Sequence, residues 1–184
     1  DTVKIANVLN NLGVNFQHFN HLDSSLYYFK SVLGLVALDI NSQKNIAKDR
    51  SATYNNIGVV LLDQEKIEEA FPYILKSYHI NHLNKDIQGL AISHNNLAEY
   101  WLKKRDLKMA SLHLDSGQTI LKETTDKILL VENLELRFKL LERKNQYKEA
   151  LATYKTLDSL NNQLFQDEKL KVEEISNIYL LREK

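Results

Sequence analysis

Apolar residues recur along this chain with the three-and-four spacing of helices that bury one side. From Val3 to Phe19 they fall at Ile5, Val8, Leu9, Leu12, Phe16 and Phe19. After the polar turn Asn20-His21, a stretch from Asp23 to about Asp39 places Leu26, Phe29, Val32, Leu33 and Val36 on one side. Two such helices joined by a short turn make a helical hairpin. The polar run Asn41 to Lys48 reads as a break before the pattern resumes. The second pair has Tyr54, Ile57, Val60 and Leu61, a turn at Asp63 to Lys66, then Ile67, Ala70, Phe71, Ile74 and Leu75. The third has Leu90, Leu97, Trp101 and Leu102, then Leu107, Ala110, Leu114 and Leu121; the fourth has Ile128, Val131, Leu134, Phe138 and Leu141, then Tyr147, Ala150, Leu151, Tyr154 and Leu157. Pro72 falls early in its helix, where a missing N–H is partly tolerated. No stretch sustains the period-two alternation of a strand.

The pairs are copies of one another. Asn10-Asn11-Leu12-Gly13 returns as Asn55-Asn56-Ile57-Gly58 and as Asn95-Asn96-Leu97-Ala98, in steps of 45 and 40 residues. A second ladder, Ser25, Ala70, Ala110 and Ala150, steps by 45, 40 and 40, with Phe29, Ile74, Leu114 and Tyr154 four positions on. A fixed period of this length means stacked supersecondary units. Small residues recur because one backbone approaches another closely where the two helices of a hairpin cross. Glycine inside a helix costs about 0.5–1 kcal/mol relative to alanine, so Gly13 and Gly58 at one repeat position point to that packing need.

Those residues also carry a resemblance. Leu9/Leu12/Gly13/Phe16, Tyr54/Ile57/Gly58/Leu61, Leu97/Ala98/Trp101 and Leu134/Phe138/Leu141, each followed by the small residue and ring of the second helix, resemble the tetratricopeptide repeat over about residues 5 to 160. The period is longer than the usual ~34 residues, the proline that ends typical repeats is missing, and Phe138 stands where a small residue is expected. Longer repeats occur in the peptide-sensing and sensor-kinase branches of that family. The resemblance implies an all-α fold, a right-handed α-solenoid of four hairpins (about 1–44, 45–84, 85–125 and 126–161) with a C-terminal capping or linker helix at 162–184. It also implies that the first helix of each pair lines a concave groove.

On a helix turning 100° per residue, the Asn pairs fall opposite the Leu-Gly packing side. That puts Asn10, Asn11, Asn55, Asn56, Asn95 and Asn96 in the groove, with Gln17, Asp63, Glu99 and Lys103 as further polar candidates. An amide side chain both donates and accepts, as does an extended peptide backbone. The alternative is that asparagine merely solvates an exposed helix side. The Lys and Arg carboxylate clamp of some tetratricopeptide modules is not expected, since Ile92 and Asn96 occupy the matching positions of the third unit.

Composition narrows the partners. Twenty-four basic and twenty-four acidic residues cancel and are dispersed, so there is no electrostatic footprint for nucleic acid; Lys103-Lys104-Arg105 sits at a turn. No cysteine is present, which excludes disulfides and thiolate chemistry. No apolar run is long enough to span a membrane. His18/His21 and His79/His82 have metal-ligand spacing but no third ligand at helical spacing. Glu68-Glu69 and Glu132/Glu135 read as solvated faces, and no phosphate loop or nucleophile elbow occurs. Neither catalysis, a cofactor nor a metal is expected in this segment.

The chain starts without Met and inside a helix, as expected of a piece cut from a longer protein. From Asn162 to Lys184 a charged stretch carries Phe165, Val172, Ile175, Tyr179 and Arg182 on a near-heptad stripe. It suits a polar cap on a solenoid, and it is similar to the signalling helix that leaves the repeats of bacterial tetratricopeptide sensor kinases. The expectation is a protein- or peptide-binding sensor region of a bacterial signal-transduction protein, with a cytoplasmic scaffold or peptide-responsive transcriptional regulator as the alternative. In the first case it would be extracytoplasmic, anchored to a membrane by regions outside the segment, with a possible homodimer through the C-terminal helix.

Overall fold

The computed structural model describes residues 2–38, 43–124 and 126–182, with side chains described outside 36–49 and 174–182. Among the described residues there are eight helices and no strand: α1 (Thr2–His18), α2 (Leu22–Leu38), α3 (Gln43–Asp63), α4 (Ile67–Asn84), α5 (Ile87–Lys103), α6 (Leu107–Leu121), α7 (Lys127–Arg143) and α8 (Tyr147–Arg182). Consecutive pairs pack as hairpins. The chain divides into two compact units, Asp1–Thr124 with three hairpins and Thr125–Lys184 with the fourth.

Every hairpin turns in the same way. Asn20, Glu65, Arg105 and Asn145 have left-handed backbone, with φ of 60°, 58°, 60° and 58°, and they stand 45, 40 and 40 residues apart. At each turn the left-handed residue donates its N–H three residues back, as Asn20 does to Gln17 O (2.9 Å). The next residue donates five back, as His21 does to Phe16 O (2.8 Å). The same pair recurs as Glu65 to Leu62 with Lys66 to Leu61, as Arg105 to Leu102 with Asp106 to Trp101, and as Asn145 to Glu142 with Gln146 to Leu141. These are Schellman closures, which satisfy the last carbonyls of the first helix and reverse the chain. Asp86, Asp106 and Asp126 then cap α5, α6 and α7, each accepting from backbone N–H groups of the first turn.

The small-residue ladder marks the crossings. A Cβ built on Gly13 would stand 2.6 Å from the Phe29 ring, and one on Gly58 would stand 2.6 Å from Ile74 Cγ1. Phe29, Ile74, Ala98 and Leu114 are fully buried. Ser25, at the second ladder, is also fully buried and donates to Gly13 O (2.8 Å). In the first unit, α1 packs on α3 and α3 on α5, whereas α2 and α4, or α4 and α6, make no such contact among the described residues. The stack therefore closes up on its first helices, which form the inner side of the curve.

Several expectations change. The polar run after α2 is not a long break: Asn41 lies outside the described residues, and the backbone is helical from Gln43. Val36, Ile175, Tyr179 and Arg182 also carry no described side chain. Phe19, in the turn after α1, is 70% exposed, and Ile5 and Val8 of α1 are exposed as well, because this first helix packs against α2 and α3 and its other side has no hairpin before it among the described residues. In the fourth hairpin, Phe138 occupies the small-residue position and its ring lies 5.9 Å from that of Tyr154. The bulk at the crossing leaves Tyr154 at 51% exposed, where Phe29, Ile74 and Leu114 are enclosed. Ile128, Tyr147 and Leu151 are exposed as well, and the buried face of α7 runs through Leu129, Leu134, Leu136 and Leu140. The 162–184 stretch is not a separate helix, since α8 continues unbroken to Arg182 with no glycine or proline to stop it.

Candidate functional site

The asparagine pairs meet between repeats. Asn56 Nδ2 of α3 donates to Asn10 Oδ1 of α1 (3.3 Å), and Asn96 Nδ2 of α5 donates to Asn55 Oδ1 of α3. Gln17 Nε2 of α1 donates to Asp63 Oδ2 of α3 (3.1 Å). Sequence separations of 46, 41 and 46 exceed the repeat step by one. Each link thus joins the second position of a repeat to the first position of the repeat before it. Adjacent helical residues diverge by about 100°, so one amide of a pair reaches backward and the other forward.

Each rung engages one amide nitrogen and one amide oxygen. Asn10 Nδ2, Asn55 Nδ2, Asn56 Oδ1 and Asn96 Oδ1 are left without a partner among the described residues. Asn10, Asn55, Asn56 and Asn96 are half-buried and Asn11 is exposed. Asn95 departs from the expected placement: it is 2% exposed, whereas Asn55 at the same repeat position is half-buried. Lys103 pairs with Glu65 (2.8 Å) across the second and third repeats, and Glu99 is half-buried. Of the polar candidates, Asn10, Asn55, Asn56, Asn96, Gln17, Asp63 and Lys103 thus link one repeat to the next.

Beside Asn55 and Asn56 opens a cleft of about 170 Å³, bounded by α3, the end of α4 and the start of α5. Beneath it lies a polar cluster that sequence spacing does not bring together. Ser51 Oγ donates to Asn81 Oδ1, while Asn81 Nδ2 donates to Gly89 O (2.9 Å) and to Ser93 Oγ (3.0 Å). Ser51, Ser77, Asn81 and Ser93 are all buried, which is tolerable only because they satisfy one another. Gly89 is required here, since a Cβ would stand 2.6 Å from Asn81 Cγ. The available sequence signal was Ser and Asn at inward positions of otherwise apolar helix faces.

The histidines that meet are not those with metal spacing. His18, His21, His79 and His82 are exposed, and among the described residues no three His, Cys, Asp or Glu side chains cluster as a metal would require. Instead His94 of α5 and His113 of α6 face each other, Nδ1 to Nδ1 at 3.1 Å. One ring must carry its proton on Nδ1 and the other must accept it. Burial, and next the facing His113 ring, hold His94 down at about 4 against an ordinary 6.5; burial also lowers His113. The ladder held a hint, because Ala98 crosses at Leu114 and the two histidines lie within a turn of that point.

Comparison with known proteins agrees with this geometry. Residues 50–81, most of the second hairpin, match the tetratricopeptide repeat family. No curated protein matches the sequence. Among solved structures, BtubC (BKLC) from P. vanneervenii is similar with a TM-score of 0.70 at 13% identity, over 89% of this chain and 66% of that one. The apo form of RapI is similar with a TM-score of 0.72 at 18% identity, over 89% of this chain and 44% of that one. The chain thus spans less than two thirds of either. At these identities the likeness is one of fold, and the fold class is the α-solenoid of helical hairpins. The repeat match at residues 50–81 supports a protein-interaction module.

Proposed function

We propose that this chain binds an extended peptide or peptide-like segment along its first helices, without catalysis, as the sensor or interaction region of a bacterial signal-transduction protein. The observation that carries the reading is the asparagine ladder. Two successive rungs each leave a free donor and a free acceptor, the complement of a peptide backbone that presents both in alternation. Because the rungs already fix the amides, little side-chain freedom remains to be lost on binding. The continuous α8, 36 residues against 17 in α7, suits a rigid relay out of the repeats and supports the signalling part of the reading.

The binding claim is tested by selecting linear peptides from a random display library against the full chain and mapping them by amide hydrogen exchange. Protection concentrated on α1, α3 and α5 is the expected result. Protection confined to α2, α4 and α6 would refute the groove assignment. For the signalling claim, the gene should continue past Lys184 into an apolar segment of about 20 residues. A gene that ends soon after Lys184 would favour the scaffold or regulator instead.

A further inference from the structure

The cleft beside Asn55 and Asn56 has a chemistry of its own. We infer that it takes one lysine or arginine side chain of the bound peptide, with the Asp86 carboxylate receiving the cation; this rests on the peptide-binding reading above. Size comes first. At about 170 Å³ the cleft is smaller than the ~300–1,000 Å³ of small-molecule sites and equals the volume of roughly six waters, which suits a single side chain.

The wall offers both carbon and polar groups. Ala52, Gly89 and Ile92 offer carbon surface, against which the methylene stem of a long basic side chain packs while its head stays polar. The polar lining is rich in acceptors. Asp86 Oδ1 accepts from Gly89 N (2.9 Å), but its second carboxylate oxygen has no partner among the described residues. Among the described residues Asn56 Oδ1 is a second free acceptor, beside the free donor Asn55 Nδ2.

Charge points the same way. Among the described residues, Asp86 is the sole charged side chain lining the cleft, and no Lys, Arg or His is in the wall. The positive end of the α5 dipole, about half a charge, offsets the full negative charge of Asp86 only in part. An acidic side chain would meet that carboxylate uncompensated, and an apolar one would strip water from it with no hydrogen bond in return. A lysine or arginine head supplies the donors and makes a charge-assisted bond.

The test is an NMR titration of the full chain with the N-acetyl methylamides of lysine, arginine, norleucine and glutamate. Norleucine keeps the stem of lysine and lacks the cation. The lysine and arginine compounds should shift the Gly89 amide signal saturably, norleucine at least roughly tenfold more weakly, and glutamate not at all. Asp86→Asn, which preserves the helix cap because asparagine caps as well as aspartate, should weaken the lysine compound at least about fivefold with unchanged thermal unfolding. Equal binding of norleucine and lysine, no saturable shift with either basic compound, or full affinity in Asp86→Asn would each overturn the assignment. Library peptides that still protect the first helices would show that the groove reading survives such a failure. A preserved lysine preference without any peptide protection on those helices would instead support the cleft and remove the groove.

Discussion

Acid should loosen this protein through one contact, the His94–His113 pair. In the native state His94 is held at about 4, so it stays neutral where an unfolded histidine, with a value near 6.5, takes up a proton. The unfolded chain therefore binds more protons between those two values, and stability falls as pH falls through that window. The contribution is complete above about pH 6.5 and gone below about pH 4. At ~1.36 kcal/mol per pH unit the ceiling is roughly 3.4 kcal/mol; because the rings retain solvent contact, screening reduces it to about 1.5–2 kcal/mol. Tyr78 of α4 is the aromatic neighbour, its ring and that of His94 in an edge arrangement at 5.5 Å, and the His82 ring lies 6.1 Å from that of Tyr78. Neither supplies an anion to stabilise an imidazolium. The assay is urea unfolding at pH 7.5 and 4.5 for the native chain and for a His94→Gln, His113→Gln variant, which keeps the polar contact and removes the titration. The native chain should lose about 1.5–2 kcal/mol more than the variant on acidification. The other four histidines are exposed and common to both proteins, so identical losses would refute the assignment.

Two stability predictions follow from the repeat geometry. Gly58→Ala should destabilise by about 0.5–2 kcal/mol, because overpacking against Ile74 at the 2.6 Å approach outweighs the gain in helix propensity; a raised urea midpoint would show that the crossing has slack. Arg105→Gly should stabilise by about 0.5–1 kcal/mol, since relief of the left-handed backbone at φ 60° exceeds the added entropy of glycine in the unfolded chain. A fall in melting temperature for that variant would contradict the strained-turn argument.

The parts of the fold that repeat in sequence were the legible parts. Gly13, Gly58 and Ala98 marked the crossings because close approach admits no large side chain, and the one unit that broke the rule, with Phe138, is the one whose ladder ring is pushed outward. The turn ladder went unread as a cap because Glu65 and Arg105 are not residues that favour left-handed backbone; the Schellman hydrogen bonds and the hairpin they close hold them there. The periodicity of the asparagines was visible, but their partners were not, since each bond spans the repeat step plus one residue. Asn95 shows the limit of a helical wheel: it is enclosed while Asn55, at the same repeat position, is half-buried, so direction around one helix does not by itself fix burial. The cleft over Asn81 and the His94–His113 contact bring together residues from different helices without any shared spacing, so only the packed structure reveals them.

The most direct test of the groove is the affinity of a selected peptide for the native chain and for an Asn10→Asp, Asn55→Asp variant. Both carboxylates can still accept the rung bonds from Asn56 and Asn96, so the stack is kept while the two amide donors that the rungs leave unused are lost. With a selected peptide that carries no basic residue, the account predicts at least an about tenfold loss of affinity, roughly 1.4 kcal/mol or more, with unchanged helicity. Unaltered affinity in a folded variant would mean that the ladder only ties repeat to repeat and that the ligand binds elsewhere.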